Sequence, residues 1–300
     1  MQIHIILFDP VQFYTSINPF WVPLRSGILQ ASRAHDAKIV YHTPSCNGDY
    51  NYDKLHEDMS KLLQHVLSVS PSGVILALPN YMYQTKHIER FIHAKIPLVF
   101  INPPANIPWK GISSVGSSHR LGGELCAKHL APEADSEIIL IRHLKKADFI
   151  DERCEGIQDY LRSINHTAKV RTVFSGTDLS PAIEVASYLK SRRNARVFCF
   201  TVRTGNMMAN YFREHNDQMR DQDILLGCFD LTTDILVGIR ERHVKCTVDS
   251  QPFLMGFEAI TSLALYLQHG IIPPKDIESG PYIIDKKNID DTLRKFGQRR

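Results

Sequence analysis

The chain contains 300 residues, with 35 basic and 32 acidic side chains and a net charge of +3 at neutral pH. This mild charge does not favour a nucleic-acid-binding protein, and 43% hydrophobic with 22% charged residues is typical of a soluble globular protein. The length exceeds that of a usual single hydrophobic core, so we expect two domains.

The amino-terminal stretch "MQIHIILFDP" lacks the basic start, the long apolar segment and the small-residue cleavage site of a signal peptide. No apolar run approaches the roughly 20 residues that cross a bilayer. We therefore expect a cytoplasmic protein, or a periplasmic or extracytoplasmic protein from which a signal peptide has been removed.

Short apolar runs alternate with helical patterns along the chain. The runs, in chain order, are "IHIILF", "KIVYHT", "GVILAL", "PLVFI", "EIILI", "VRTVF", "VFCF", "ILLGCF" and "CTV". Helical spacing follows the first run at Trp21, Leu24, Ile28 and Ala31, and Ser180 before Pro181 predicts an N-cap and a helix start. The alternation predicts repeated βαβ units with parallel sheets.

Three stretches are candidate crossings between two lobes: "GISSVGSSHRLGG", "VDSQPF" and "IESGPY". They predict a lobe formed by residues 1–117 and 251–279, and a second lobe formed by residues 118–250 and 280–300. Neither lobe is then continuous in sequence. A three-strand hinge of this kind lets two rigid lobes close on a ligand.

The motifs of common α/β enzymes are missing: there is no GxGxxG, GxxxxGK[ST], HExxH or GxSxG pattern. Six cysteines are far apart without a CxxC pair, and Cys199, Cys228 and Cys246 lie in apolar runs that predict small buried side chains. Unpaired thiols argue weakly against export. The histidines, such as His42 and His269, are scattered, and we interpret most of them as surface or helix-end residues. We expect no enzyme, no cofactor and no metal site.

The residues after each strand are the candidates for a ligand site, because open parallel sheets bind ligands at the carboxyl ends of their strands. Aromatic rings and planar polar groups occur there, which suits the C–H faces and hydroxyls of a sugar. The strand-end candidates are Tyr14, Asn18, Phe20, Trp21, Asn102, Thr201, Arg203, Phe229, Asp230, Ser250 and Gln251.

Eight segments, from "NPFWVPLRSGILQASRAHDAKIVY" and "IPLVFINPP" to "LLGCFD" and "VDSQPFLMGFEAI", resemble the type I periplasmic binding proteins of the ribose and galactose group in order and spacing. The resemblance covers nearly the whole chain. It implies two doubly wound α/β lobes joined by three strands, with a monosaccharide in the cleft. The same fold forms the effector domain of lactose-repressor-type regulators.

The resemblance also implies roles for individual residues. Asn18, Phe20 and Trp21 would contact the ligand from the first lobe, although Trp21 can also be read as helix core. Phe229 and Asp230 would supply the opposing ring and carboxylate, and Arg153 would be a structural or ligand-facing arginine. Departures from the family pattern are Asn102, Asp151, Thr201 and Ser250 beside Gln251, so the identity of the ligand stays open.

The leading functional hypothesis is a solute-binding protein that closes on a small sugar or polyol, without chemistry, for an ABC-type permease or a membrane sensor. We expect a monomer without nucleic-acid binding. One alternative is the effector domain of a transcriptional regulator, which needs a DNA-binding segment of about 60 residues before the first strand at Ile3. The other is the sensor domain of a membrane kinase.

Overall fold

The computed structural model describes residues 1–7, 20–43, 52–78, 85–103, 111–142, 148–167, 169–175 and 178–298. The strands are β1 Gln2–Leu7, β2 Lys38–His42, β3 Gly73–Ala77, β4 Leu98–Ile101, β5 Ser113–Ser117, β6 Glu137–Arg142, β7 Val170–Phe174, β8 Ala195–Cys199, β9 Ile224–Phe229, β10 Cys246–Asp249, β11 Asp276–Gly280 and β12 Tyr282–Asp285. The helices are α1 Trp21–Ala34, α2 Tyr52–Ser68, α3 Thr85–His93, α4 His119–Leu130, α5 Asp148–Ser163, α6 Ser180–Leu189, α7 Val202–Glu214, α8 Asn216–Asp221, α9 Thr233–Arg240, α10 Pro252–His269 and α11 Ile289–Gln298.

The chain divides into two compact units, Met1–Ser117 with Gln251–Ser279 and Ser118–Ser250 with Gly280–Arg300. The sheet of the first unit has the order β11-β5-β4-β3-β1-β2, and that of the second has β12-β10-β9-β8-β6-β7. In both units the first five strands take the doubly wound order 2-1-3-4-5 with parallel pairing. The predicted fold class, two doubly wound α/β lobes, is confirmed.

Strand alternation builds the core of the first unit, because successive side chains point to opposite faces of the sheet. Ile3 and Ile5 on one face pack with α1 and α10, whereas Ile6 on the other face packs with α2 and α3. The predicted helical stripe is confirmed, since Leu24, Ile28 and Ala31 of α1 are fully buried.

The second unit follows the same rule. Ile139 and Ile141 of β6 face the cluster formed with α6, α7 and α9, whereas Ile138 and Leu140 face α4 and α5. The predicted burial of Cys199, Cys228 and Cys246 is confirmed.

Glycine allows close helix contacts in both units. A Cβ on Gly27 of α1 would lie 1.9 Å from the carbonyl oxygen of Phe253 in α10, and one on Gly256 would lie 2.2 Å from that of Leu24. In the second unit, a Cβ on Gly156 of α5 would lie 1.8 Å from the carbonyl oxygen of Arg120 in α4. Only a residue without a side chain fits at these positions.

Side chains begin several helices, as the capping rules predict. Ser118, Thr201 and Thr232 accept hydrogen bonds from backbone N–H groups in the first turns of α4, α7 and α9. The predicted Ser180 cap is wrong. Ser180 is already helical, and its backbone N–H donates to the Asp178 carboxylate at 2.9 Å. None of the helices in the described ranges is long and apolar enough to cross a membrane.

Candidate ligand-binding site

Phe20 and Trp21 stand at the start of α1 in the first unit. Their rings meet edge to face with centroids 4.9 Å apart, and both pack, half-buried, against the apolar core. This position fits both interpretations of Trp21, so its contact with a ligand stays a prediction. Tyr14 and Asn18 lie outside the described residues.

Asn102 follows β4 directly. Its backbone N–H donates to the carbonyl oxygen of Val115 at 2.9 Å, and its side-chain Oδ1 accepts from the backbone N–H of Ser117 at 3.2 Å. Because the amide oxygen joins the ends of β4 and β5, we predict that the amide nitrogen is the group that would contact a ligand. Nitrogen there is a donor, whereas a carboxylate would only accept.

Arg153 forms the centre of a polar cluster in the second unit. Its guanidinium carbon lies 4.3 Å from the ring centroid of Phe229 and 5.4 Å from that of Phe149, and its Nη1 donates to the carbonyl oxygen of Phe200 at 3.3 Å. The side chain is only 5% exposed. Contacts with aromatic faces are favourable for a desolvated guanidinium and fix its orientation.

Phe229 was predicted to supply the ring that opposes the ligand from the second lobe. Its side chain is fully buried, and its ring stacks on Phe200 with centroids 5.4 Å apart. A ring without exposed surface offers no face to a ligand in this structure. It also belongs to the buried cluster packed on α4 and α5 and contacts the guanidinium of Arg153, so Phe229 supports the arginine.

Asp230, the next residue, is held by its backbone. Its N–H donates to the carbonyl oxygen of Val248 at 2.9 Å, and its own carbonyl oxygen accepts from the hydroxyl of Thr247 at 2.8 Å. Burial raises the pKa of the Asp230 carboxyl, and the nearby Arg153 guanidinium opposes that rise. Burial in turn lowers the pKa of Arg153, and Asp230 opposes that fall. The two groups therefore favour each other's charged forms.

Three strand-end residues have left-handed backbones, with φ of +46° at Asn102, +69° at Asp230 and +56° at Gln251. The other non-glycine residues of this kind, within the ranges that the structure describes, lie in turns leading from a helix into a strand. Such conformations cost about 1–3 kcal/mol and are concentrated at ligand sites. Among the described residues that lie one or two positions after a strand, these three are the ones with left-handed backbones.

Thr201, Arg203, Ser250 and Gln251 have different environments. The Thr201 hydroxyl caps α7 and lies 2.9 Å from the hydroxyl of Thr204, so it already has protein partners. Arg203 is exposed in the first turn of α7. Ser250 is 4% exposed, and Gln251 is half-buried as the N-cap of α10.

His119, the first residue of α4, was not among the residues predicted from the sequence. Its ring centroid lies 5.9 Å from that of Phe149, and burial, aided by the charge of Arg153, lowers its pKa to about 3. The ring is therefore neutral at physiological pH. No linear pattern connects this residue to Arg153, since the two belong to different helices.

Arg142 was also missed, although it is the last residue of the "EIILIR" strand. It forms an ion pair with Asp151 and lies over the ring of Phe174, with 5.6 Å between the guanidinium carbon and the centroid. Asp151 thus brings its carboxylate to an arginine on the strand. Among the described side chains, the Arg142 Nε is one of the few buried polar atoms without a hydrogen-bond partner. Applying the strand-end rule to this run would have found it.

No set of three His, Cys, Asp or Glu side chains in the described part of the chain is placed to hold a metal ion. The arrangement around Arg153 and Asp230 instead offers one fixed donor group and one acceptor group. Such a pair binds hydroxyl groups, which both donate and accept.

Residues 11–271 match the family model described as the periplasmic binding protein domain. The xylose/arabinose-binding protein XylF of Sulfolobus acidocaldarius is 24% identical over 300 aligned positions, which cover 93% of this chain and 71% of that protein.

Solved structures share the fold. A carbohydrate transporter from Acidothermus cellulolyticus 11B, in complex with myo-inositol, has a TM-score of 0.74 and 20% identity, covering 99% of this chain and 98% of that one. A chain of the XylFII–LytSN complex has a TM-score of 0.71 and 22% identity, covering 95% and 98%. Since the family match spans most of the sequence, the chain belongs to the periplasmic binding protein domain family.

Proposed function

We propose that the protein is a solute-binding protein for a small sugar or polyol. The observation that carries the proposal is the Arg153–Asp230 cluster at the carboxyl edge of the second sheet. There, burial and aromatic contacts fix a guanidinium beside a carboxylate on a strained backbone. Similar proteins are described as binding xylose or arabinose, or as bound to myo-inositol, and this supports the same class of ligand.

The cluster suits an uncharged ligand. The neutral His119 adds no charge, Arg153 and Asp230 have opposite charges, and Arg142 is paired with Asp151. An anionic sugar phosphate would have to compete with these carboxylates. Strand-end residues of the first unit, Phe20, Trp21 and Asn102, would add an apolar ring surface and an amide donor.

In this proposal the protein performs no chemistry on its ligand, because binding proteins of this family hold a solute for a partner protein. The partner would be an ABC-type permease or a sensor, and the XylFII–LytSN complex is a precedent for a related protein acting with a second protein. We propose a monomer that works in an extracytoplasmic compartment.

Calorimetric titration with D-xylose, L-arabinose, myo-inositol and a sugar phosphate tests the proposal. We expect one uncharged compound to bind and to raise the melting temperature, because a ligand that binds only the native state stabilises it. Mass spectrometry should recover that compound unchanged. Failure of a broad sugar and polyol panel to bind, or turnover of the bound compound, would contradict the proposal.

A further inference from the structure

A polar pocket of about 280 Å³ lies in the first unit, along the edge strand β2 and the loop before β3. Its polar lining consists of Gln2, His4, His42, His65, Ser70 and Ser72. Asn102 follows β4, and β1 and β3 lie between β4 and the edge strand β2 in the sheet. The pocket is therefore separate from the strand-end residues. Here His42 departs from our interpretation of the histidines as scattered surface groups.

The histidines form a contact between two strands and a helix. The Nδ1 of His4 and the Nε2 of His42 are 2.9 Å apart, and the two rings stack with centroids 5.0 Å apart. His65 of α2 meets the ring of His42 at a centroid distance of 6.1 Å. His4 pairs in register with Val40, so His4 and His42 lie on the face that α2 covers.

A hydrogen bond between two imidazoles requires one N–H and one bare nitrogen, so at least one of the two rings must be neutral. Protonation of both rings would place two N–H groups and two positive charges against each other. Burial lowers the pKa of His4, and His65 lowers it further. Burial likewise lowers the pKa of His42, with additional contributions from His4 and His65.

The surroundings offer little to stabilise a second positive charge. From α2 the facing titratable group is His65, and the loop before β3 contributes only the hydroxyls of Ser70 and Ser72. The α2 carboxylates Glu57 and Asp58 lie about two turns before His65, and they interact with Lys61.

The other elements on this face add no facing carboxylate to the described lining. Lys38, on the same face of β2 as His42, is exposed. The α3 residues Lys86, Glu89, Arg90 and His93 are exposed as well.

We infer that this histidine pocket is an acid-sensitive contact that holds the edge strand β2 on the sheet of the first unit. β2 pairs with β1 alone in the sheet order and is only partly buried, so its side-chain contacts matter for its attachment. The contact is intact while one ring of the His4–His42 pair is neutral, and it breaks when both rings carry a proton.

The direction in which stability changes with pH follows from the linkage between proton binding and folding. Both rings have a pKa below the ordinary 6.5 in the folded chain, so the unfolded chain takes up protons first as the pH falls. The stabilising contribution is complete above pH 6.5. It is lost progressively as the pH falls from 6.5 towards the lowered pKa values.

Ring titration by NMR in the wild-type protein provides the direct test. We expect the His4 and His42 rings to titrate with pKa values below 6.5. Over the same pH range, the backbone amides of β2 should lose protection from hydrogen exchange. Titration of both rings at or above 6.5, or unchanged β2 protection, would overturn the inference.

Urea unfolding from pH 7.5 to 5.0 supplies a second measurement, with His42→Gln compared with His269→Gln. Gln keeps a hydrogen-bonding group but takes up no proton, and His269 is an exposed residue at the end of α10. We expect His42→Gln to reduce proton uptake on unfolding by up to about one proton relative to the His269→Gln control. The comparison between variants matters because the lowered pKa values of His119 and His243 also make the second unit acid-sensitive. Equal pH dependence in the two variants contradicts the inference, and if His42→Gln fails to fold, the wild-type titration decides.

Discussion

The two units share one frame and differ in what their strand ends carry. Both have the 2-1-3-4-5 strand order and a helix pair in contact through glycine. The first unit presents half-buried rings and an amide, Phe20, Trp21 and Asn102, whereas the second presents the buried Arg153 beside Asp230. The difference teaches that the fold determines where a site can lie, and that a few side chains at the strand ends determine its chemistry.

The largest expected effect is the loss of stability on removing a buried phenylalanine ring, compared between a ring at the site and a ring remote from it. Phe229→Ala and Phe91→Ala both remove fully buried rings, and each should cost about 3–5 kcal/mol of unfolding free energy. Of these two rings, Phe229 is the one that contacts Arg153, so its loss should also weaken ligand binding and that of Phe91 should not. Denaturant unfolding and calorimetric titration measure the two quantities separately. Equal affinity in the two variants would show that Phe229 has no role in the site.

The glycine contacts should have the next largest effect. Gly156→Ala and Gly27→Ala place a Cβ within 1.9 Å of a backbone oxygen, so each should cost about 1–3 kcal/mol as the helices separate. Gly205→Ala is the control, because its Cβ would meet side chains and not backbone, with the end of Ile235 nearest at 3.1 Å. Better helix propensity offsets that contact by up to about 1 kcal/mol. If all three variants have similar melting temperatures, the close helix contacts do not limit stability.

The strands could be predicted from sequence because burial on both faces produces apolar runs that are visible in the linear chain. Ile3, Ile5 and Ile6, for example, fill two clusters on opposite faces of one strand. Helix starts were less certain, since Asp178 rather than Ser180 supplies the capping oxygen for α6. Two polar residues this close together both match the N-cap pattern, so the sequence alone does not show which of them accepts the hydrogen bond.

The site was only partly predictable. Asp230 and Asn102 were candidates because they follow strands; their left-handed backbones were not predicted, and their contact with a ligand remains a proposal. The direction of Phe229 could have been derived from alternation: Leu226 and Cys228 face one cluster, so Phe229 must face the α4 and α5 layer. The position of His119 beside Arg153 depends on tertiary packing and leaves no pattern in the sequence.

Asp230→Asn should have a smaller effect on stability and a clear effect on binding. Asparagine tolerates a left-handed backbone, so the change removes the charge without adding strain at φ of +69°. Burial raises the Asp230 pKa, which means that the ionised carboxylate opposes folding at neutral pH; stability should therefore stay the same or rise. Loss of a charge-assisted hydrogen bond, worth about 1.5–3 kcal/mol, should weaken binding at least about tenfold. The exposed Asp217→Asn makes the same charge change as a control, and wild-type affinity in the Asp230 variant would remove Asp230 from the site.

The smallest expected effect concerns Asn102, the counterpart of Asp230 in the first unit. Asn102→Asp keeps an oxygen that can accept from the Ser117 N–H at 3.2 Å and keeps a residue that tolerates φ of +46°, so the unfolding free energy should change by less than about 1 kcal/mol. The change replaces the Nδ2 donor with an acceptor, however. Ligand preference in the sugar panel should therefore shift while the melting temperature stays nearly constant. Ser114→Ala is the control, because this exposed hydroxyl of β5 bonds to Asp276 and does not contact the strand ends. If Asn102→Asp binds the same compounds with the same affinities, the amide donor has no role in selecting the ligand, and the first unit contributes through its aromatic rings.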